Sequence, residues 1–148
     1  LTRVDPQNRQ KYNQNLKAFA SKVKSLMAEV GPSLERHRGK SLVVYHKEFV
    51  YLFQRFGINT AMSIEEKPGV PPGPAHFKLV VDYIKQNSIP AVVVAPWSNV
   101  GLAKKVAKEA NVKLIMLPVQ TGSDGNTDQT YLEMMKKTMS LLSEALSG

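Results

Sequence analysis

The apolar residues near the start of the chain recur at helical spacing. Over residues 12–30 they are separated by one, three or four positions, which places them along one face of a long helix. Asp5 is a favourable N-cap and Pro6 a favourable first helical residue, because proline lacks the N–H that would be unpaired there. We therefore predict a helix that begins at Pro6 and that Gly31 and Pro32 kink or end.

From residue 41 onward, short apolar runs alternate with helical stretches. This alternation is typical of a parallel sheet that is covered by helices on both faces. The last helical stretch starts with Thr130 and Glu133, which can form a capping box. The predicted fold class is α/β, a doubly wound sheet of about four parallel strands with helices on both faces, preceded by a long amphipathic helix. The predicted strands cover residues 42–45, 58–64, 91–95 and 112–117, and the predicted helices cover 48–56, 74–86, 98–110 and 130–146.

The composition excludes several classes of protein. A chain of 148 residues that is 43% hydrophobic can build one compact domain. It contains no cysteine, which excludes disulfide scaffolds, thiolate zinc sites and cysteine nucleophiles. No window approaches 18 uncharged apolar residues, and the first ten residues lack the apolar core of a signal peptide.

The positive charge is concentrated at the start of the chain. The whole chain has 20 Lys and Arg against 12 Asp and Glu, and residues 1–40 hold 9 of the bases with 3 of the acids. These bases are scattered and no aromatic residues interleave them, so we expect a solvated helix face and no nucleic-acid partner. A basic module that binds an acidic partner is an alternative that rests on this charge alone.

The carboxyl ends of the predicted strands are the places to search for chemistry, because ligands of open α/β sheets bind there. His46 follows the first strand, where an imidazole can bind a divalent metal, serve as an acid or base, or play a structural role. Glu65 and Glu66 follow the second strand, and adjacent glutamates in a loop are expected to be solvated. We expect His37 to be exposed and His76 to be a surface or capping residue.

Motifs of common enzyme classes are missing from the strand ends. Neither a dinucleotide-binding glycine motif nor a phosphate-binding loop follows any predicted strand, and there is no nucleophile elbow. The enzyme that the sequence leaves open is a flavodoxin-like protein which uses His46 as general base, with Glu65 or Glu66 nearby.

Four groups of residues, spread over nearly the whole chain, carry a family resemblance. They are Asp5-Pro6-Gln7-Asn8 followed by Tyr12, Asn15 and a long helix; Val43-Val44-Tyr45-His46 with Tyr51 and Phe56-Gly57; the proline-rich segment 68–76; and Tyr131-Leu132-Glu133-Met134-Met135. Together they resemble the second half of the zinc/manganese ABC-transporter periplasmic solute-binding proteins. In that family one long helix joins two α/β lobes, and two histidines of the first lobe, a histidine or glutamate after the first strand of the second lobe, and an acid near its last strand bind the metal.

The resemblance implies a partial ligand set in this chain. His46 falls on the position after the first strand of the second lobe. The family's acid should fall within residues 117–120, which here contain none. The remaining candidates are the side-chain carbonyl of Gln120 and the carboxylate of Asp124, a few residues further on.

The resemblance also implies an organisation and a function. Residues 1–40 would be the interlobe linking helix and residues 41–148 the C-terminal metal-binding lobe, with the first lobe absent, which fits the start without Met. The protein would be an exported binding protein of the periplasm or cell envelope and not an enzyme, capturing zinc or manganese as cargo for an ABC-transporter permease. Without the first lobe, the linking helix would expose its apolar stripe, through which the fragment can form a homodimer.

Overall fold

Four parallel strands and five α-helices alternate along the computed structural model, which describes residues 1–67, 69–123, 125 and 128–147. The strands are β1 (Ser41–Val44), β2 (Asn59–Ser63), β3 (Ala91–Val94) and β4 (Lys113–Met116). The helices are α1 (Arg9–Glu35), α2 (Val50–Phe56), α3 (Pro74–Gln86), α4 (Val100–Ala110) and α5 (Tyr131–Leu146), and a short 3₁₀ helix, Pro6–Asn8, precedes α1. The predicted α/β class is confirmed, and every predicted element after the first helix lies within two residues of its observed bounds.

The strand order is β2-β1-β3-β4, so β1 and β3 are central and β2 and β4 are the edges. Backbone pairing between β1 and β2 continues beyond the two strands. The N–H of Ile64 donates to the carbonyl of Val44 at 2.9 Å, and the N–H of Glu65 donates to the carbonyl of Tyr45 at 3.1 Å. The residues that immediately follow β1 and β2 are therefore held side by side.

The sheet carries a hydrophobic core on each face, because successive side chains of its strands point to opposite sides. Leu42 and Val44 of β1 belong to one core, whereas Val43 and Tyr45 belong to the other. The first core is covered by α1, α2 and α5, and the second by α3 and α4. This double cover explains why the strands are apolar runs without alternation.

Helix α1 runs past its predicted end, whereas the helical start at Pro6 agrees with the prediction. It continues through Gly31 and Pro32 to Glu35, although an internal proline costs about 3 kcal/mol. Val30 and Leu34, on either side of the proline, are buried in the first core. Burying each of these side chains stabilises the fold by about 1.5–3 kcal/mol, which offsets that cost. At the start, the side chain of Asp5 makes no capping hydrogen bond.

The first half of α1 leaves its apolar stripe uncovered. Leu16 is 65% exposed and Phe19 is 47% exposed, although the Phe19 ring lies 6.0 Å from the ring of Tyr131 on α5. Further along, Lys136 of α5 donates to Glu29 at 2.5 Å, where α1 enters the core. Among the described residues, none of the helices combines the length and apolar character needed to cross a bilayer.

Candidate metal centre

His46 lies two residues beyond β1, at the carboxyl edge of the sheet. Its side chain is 26% exposed, so one side of the imidazole faces solvent. The other side packs edge-on against the buried ring of Tyr45, with ring centroids 5.0 Å apart. This contact fixes the imidazole at the rim of a central strand, where an ion can reach it from outside.

Glu65 lies directly beside His46. Its Oε2 atom is 3.3 Å from Nε2 of His46, and its Oε1 atom accepts a hydrogen bond from the N–H of Gly69. Glu65 is only 8% exposed, so the expectation that both loop glutamates are solvated is wrong for this residue. It holds for Glu66, whose side chain is 70% exposed. The difference arises because backbone pairing with β1 keeps Glu65 in the sheet, whereas Glu66 has already left it.

The buried phenol of Tyr45 completes the surroundings of Glu65. Burial, and secondarily the hydrogen bond to the Glu65 carboxylate and its charge, raise the pKa of Tyr45 to about 12. The phenol is therefore protonated at neutral pH and donates its O–H to the carboxylate. Gly69 and Tyr45 together hold Glu65 in a fixed orientation.

Glu48, the other carboxylate close to His46 in sequence, is directed toward the segment that follows β3. Glu48 accepts a hydrogen bond from the hydroxyl of Ser98, which follows β3, at 3.3 Å. This bond ties the segment after β1 to the segment after β3. Glu48 therefore serves as a link between two strand ends.

Gln120 lies in the segment after β4, at the edge of the sheet opposite β2. Gln120 is exposed beyond β4, and its backbone carbonyl accepts a hydrogen bond from the N–H of Ser123 at 3.2 Å. Because β3 separates β1 from β4, the ends of these strands lie two strand spacings apart, about 10 Å. Asp124 lies outside the described residues. A ligand role for either residue stays a prediction.

Within the described ranges, no group of three or more His, Cys, Asp or Glu side chains is placed to hold a metal ion. His46 and Glu65 thus form a pair of donors. Structural zinc sites use about four protein ligands. A complete site therefore needs donors from outside this pair.

The two other histidines have structural surroundings. His76 lies 3.1 Å from the carbonyl of Ser63 through Nε2 and 3.6 Å from Glu66 through Nδ1, so it fastens α3 to the edge strand β2. His37 is 6% exposed, which contradicts the expectation that it is solvent-exposed. Burial, followed by the charges of Lys40 and Arg36, lowers the pKa of His37. The burial of His37 was not foreseen from the sequence, and the contacts of His76 join segments that are separate in the sequence.

Comparison with known proteins gives a consistent result. A family model described as the periplasmic component A of zinc-uptake complexes, ZnuA, matches residues 1–145. The high-affinity zinc uptake system protein ZnuA of Brucella suis biovar 1 is 27% identical over 147 residues, which is 99% of this chain and 44% of that protein. These matches confirm the family resemblance that the sequence motifs carry.

Solved structures share the fold. The zinc-bound AdcAII mutant variant of Streptococcus pneumoniae superposes with a TM-score of 0.75 at 26% identity, over 98% of this chain and 54% of that one. The solute-binding protein FpvC of Pseudomonas aeruginosa, in complex with Mn²⁺, superposes with a TM-score of 0.80 at 21% identity, over 99% of this chain and 55% of that one. The chain therefore spans about half the length of the proteins that it matches.

Proposed function

Because the chain belongs to the family of the periplasmic component A of zinc-uptake complexes, we propose that it is the metal-holding lobe of a solute-binding protein. The whole protein captures a divalent transition metal, zinc or manganese, as cargo and delivers it to an ABC-transporter permease. It acts in the periplasm or the cell envelope. The ion is bound and released unchanged, so the protein is not an enzyme.

The observation that carries this proposal is the position of His46. Its imidazole stands at the carboxyl end of a central strand, partly exposed, with a carboxylate beside it. A neutral imidazole nitrogen is the commonest metal ligand in proteins, and its bonds to zinc are about 2.0–2.1 Å long. The zinc-bound and Mn²⁺-bound proteins that share the fold support a divalent ion as the ligand.

The proposed organisation has two lobes. Residues 1–40 form the linking helix, residues 41–148 form the C-terminal lobe, and a first lobe supplies the remaining ligands. The chain's match to 44% of the Brucella protein supports this division. A helix of 27 residues is a stiff connection about 40 Å long, so release of the ion would rely on small movements of the lobe.

The alternative, a flavodoxin-like enzyme with His46 as general base, loses support from the same comparisons. The family model covers nearly the whole chain and describes a component of metal uptake. In addition, the described part of the chain presents His46 on the rim of the sheet, partly exposed to solvent. A binding protein therefore explains the site better than a catalyst does.

The test is isothermal titration of zinc and of manganese into the full-length protein at neutral pH, with and without His46→Ala. We expect the substitution to weaken binding at least ~100-fold, because loss of an outer contact alone costs 10- to 100-fold. His76→Ala is the matched control, since it removes an imidazole from the same edge of the sheet without touching His46. Unchanged affinity in His46→Ala would contradict the proposal. The chain alone should bind only weakly.

The exposed stripe on α1 belongs to the same proposal. In the two-lobe protein, contacts with the first lobe cover it, whereas in the chain alone Leu16 and Phe19 face solvent. We therefore expect the chain alone to form a homodimer through α1. Sedimentation velocity at several concentrations tests this, with Leu16→Lys as the variant that should restore the monomer. A monomer for the unsubstituted chain at all concentrations would refute the dimer.

A further inference from the structure

We propose that Glu65 is a metal ligand in this lobe, so that Oε2 of Glu65 and Nε2 of His46 bind the same ion. The inference rests on the proposed function and adds a residue to it. It assigns to the loop after β2 the carboxylate that residues 117–120 lack. The distance between the donor atoms, the charge of Glu65 and the direction of its oxygens support it.

The separation of the two donor atoms fits a shared ion. Zinc binds nitrogen and carboxylate oxygen at about 2.0–2.1 Å in a tetrahedron, so two of its ligand atoms lie about 3.3–3.4 Å from each other. The distance between His46 Nε2 and Glu65 Oε2 is 3.3 Å. The pair is therefore spaced for an ion that bridges the two atoms.

The charge of Glu65 also calls for a cation. The carboxylate is 8% exposed, and burial of a carboxylate is unfavourable unless it is paired. Among the described residues, its hydrogen-bond donors are the N–H of Gly69 and the phenol of Tyr45, both neutral. Among the ion pairs of the described residues, the partner of Glu65 is His46, which carries a charge only when protonated. A bound divalent ion would supply the positive charge.

The directions of Oε2 of Glu65 and Nε2 of His46 also favour a shared ion. Gly69 holds Oε1 of Glu65, which leaves Oε2 directed at His46. A neutral imidazole whose lone pair faces a carboxylate oxygen is repelled by it, unless a proton or a cation lies between them. Because Gly69 and Tyr45 fix the carboxylate in advance, the ion would bind without the cost of ordering that side chain. Glu65, which follows the neighbouring strand β2, is thus oriented before the ion binds.

The experiment compares Glu65→Gln with Glu66→Gln in the full-length protein. Both substitutions remove one carboxylate from the same loop with little change of shape, but Glu66 is 70% exposed and pairs with His76 instead of His46. Zinc affinity is measured by titration, with His46→Ala in parallel. The visible absorption spectrum of each protein saturated with Co²⁺ then reports the ligands in contact with the ion. We expect Glu65→Gln to weaken zinc binding ~100-fold or more and to change the Co²⁺ spectrum, and Glu66→Gln to match the unsubstituted protein.

The outcomes separate the inference from the proposed function. The proposed function fails, and the inference fails with it, in two cases. In one, the unsubstituted protein binds no zinc; in the other, His46→Ala has the same zinc affinity as the unsubstituted protein. If His46→Ala loses affinity while Glu65→Gln keeps it, only the inference is overturned. It is also overturned if Glu65→Gln binds more weakly but has an unchanged Co²⁺ spectrum, because Glu65 then only positions His46.

A second variant keeps the test decisive if Glu65→Gln does not fold, as judged by circular dichroism. Glu65→Asp retains the negative charge but withdraws the carboxylate by one methylene group. A ligand moved in this way should bind zinc more weakly and give an altered Co²⁺ spectrum. An affinity and a spectrum identical to those of the unsubstituted protein would overturn the inference.

Discussion

Replacing Tyr45 by phenylalanine removes one hydroxyl from the surroundings of Glu65 and leaves the packing in place. The Tyr45 side chain is 3% exposed and its ring belongs to the second core, so the phenylalanine ring should occupy the same space. The hydroxyl donates to a carboxylate. Hydrogen bonds to charged groups contribute about 1.5–3 kcal/mol to stability. We therefore expect the free energy of unfolding of the variant to be about 2 kcal/mol lower at pH 8.

The same substitution should change how stability depends on pH. In the folded chain, burial first and the Glu65 carboxylate second raise the pKa of Tyr45 to about 12, whereas an unfolded tyrosine ionises near pH 10. The stability from a raised pKa is complete below the unfolded value and is lost as pH rises toward the folded value. At pH 11 the free energy of unfolding of the unsubstituted chain should therefore have fallen by about 1.4 kcal/mol through ionisation of Tyr45. The phenylalanine variant cannot ionise there and should show no such fall.

Urea unfolding of both proteins at pH 8, 9, 10 and 11, followed by circular dichroism, measures this difference. Lysines titrate in the same range but are identical in both proteins, so their contribution cancels. Tyr51→Phe is the matched control, because Tyr51 is 84% exposed and its loss should leave the pH dependence unchanged. The reasoning is refuted if the difference between the unsubstituted chain and Tyr45→Phe stays constant from pH 8 to pH 11.

Three further predictions concern the fold that carries the site, and urea unfolding at neutral pH checks each. Thr138 is buried and its hydroxyl donates to the carbonyl of Pro118 at 2.8 Å, so Thr138→Val should cost about 1–2 kcal/mol, and an equal stability would contradict that bond. Thr130→Ala removes the hydroxyl of the capping box on α5 and should cost about 1 kcal/mol, whereas Thr130→Ser should restore most of it. Gly57 has φ +66° at the end of α2, and a Cβ there would also meet the side chain of Arg38. Even if Arg38 moves aside, Gly57→Ala should cost about 1 kcal/mol of stability from the left-handed backbone. No loss of stability would show that the turn relaxes.

The strands and most helices could be predicted from the sequence because their signals are local. Apolar runs of four to seven residues, bounded by polar loops, are recognisable wherever they lie. The capping box at Thr130 is equally local, since both of its residues lie within one turn. The sequence predicted that Gly31 and Pro32 kink or end the first helix. The helix does not end there, because burial of residues distant in sequence outweighs a local breaker.

The candidate site shows the same limit more clearly. His46 could be identified from its place after an apolar strand, and the enzyme alternative already placed Glu65 or Glu66 near it. Both glutamates were nevertheless expected to be solvated. Only the strand order decides which strand ends meet, and in this sheet β1 pairs with β2 and not with β4. Nothing local in the sequence encodes that order, so the burial of Glu65 could not be foreseen.

Helix α1 is anchored most firmly at its carboxyl end, and the contacts along the rest of its length are sparser. Val30 and Leu34 hold its end in the first core, while Leu16 stands about 21 Å further along the axis at 1.5 Å per residue. A rotation of about 5° at Val30 therefore moves Leu16 by about 2 Å, which is the length of a zinc–ligand bond. A small change of packing around Val30 would therefore be magnified along the helix, and its size at Leu16 depends on how far the contacts of Glu29 and Phe19 with α5 yield.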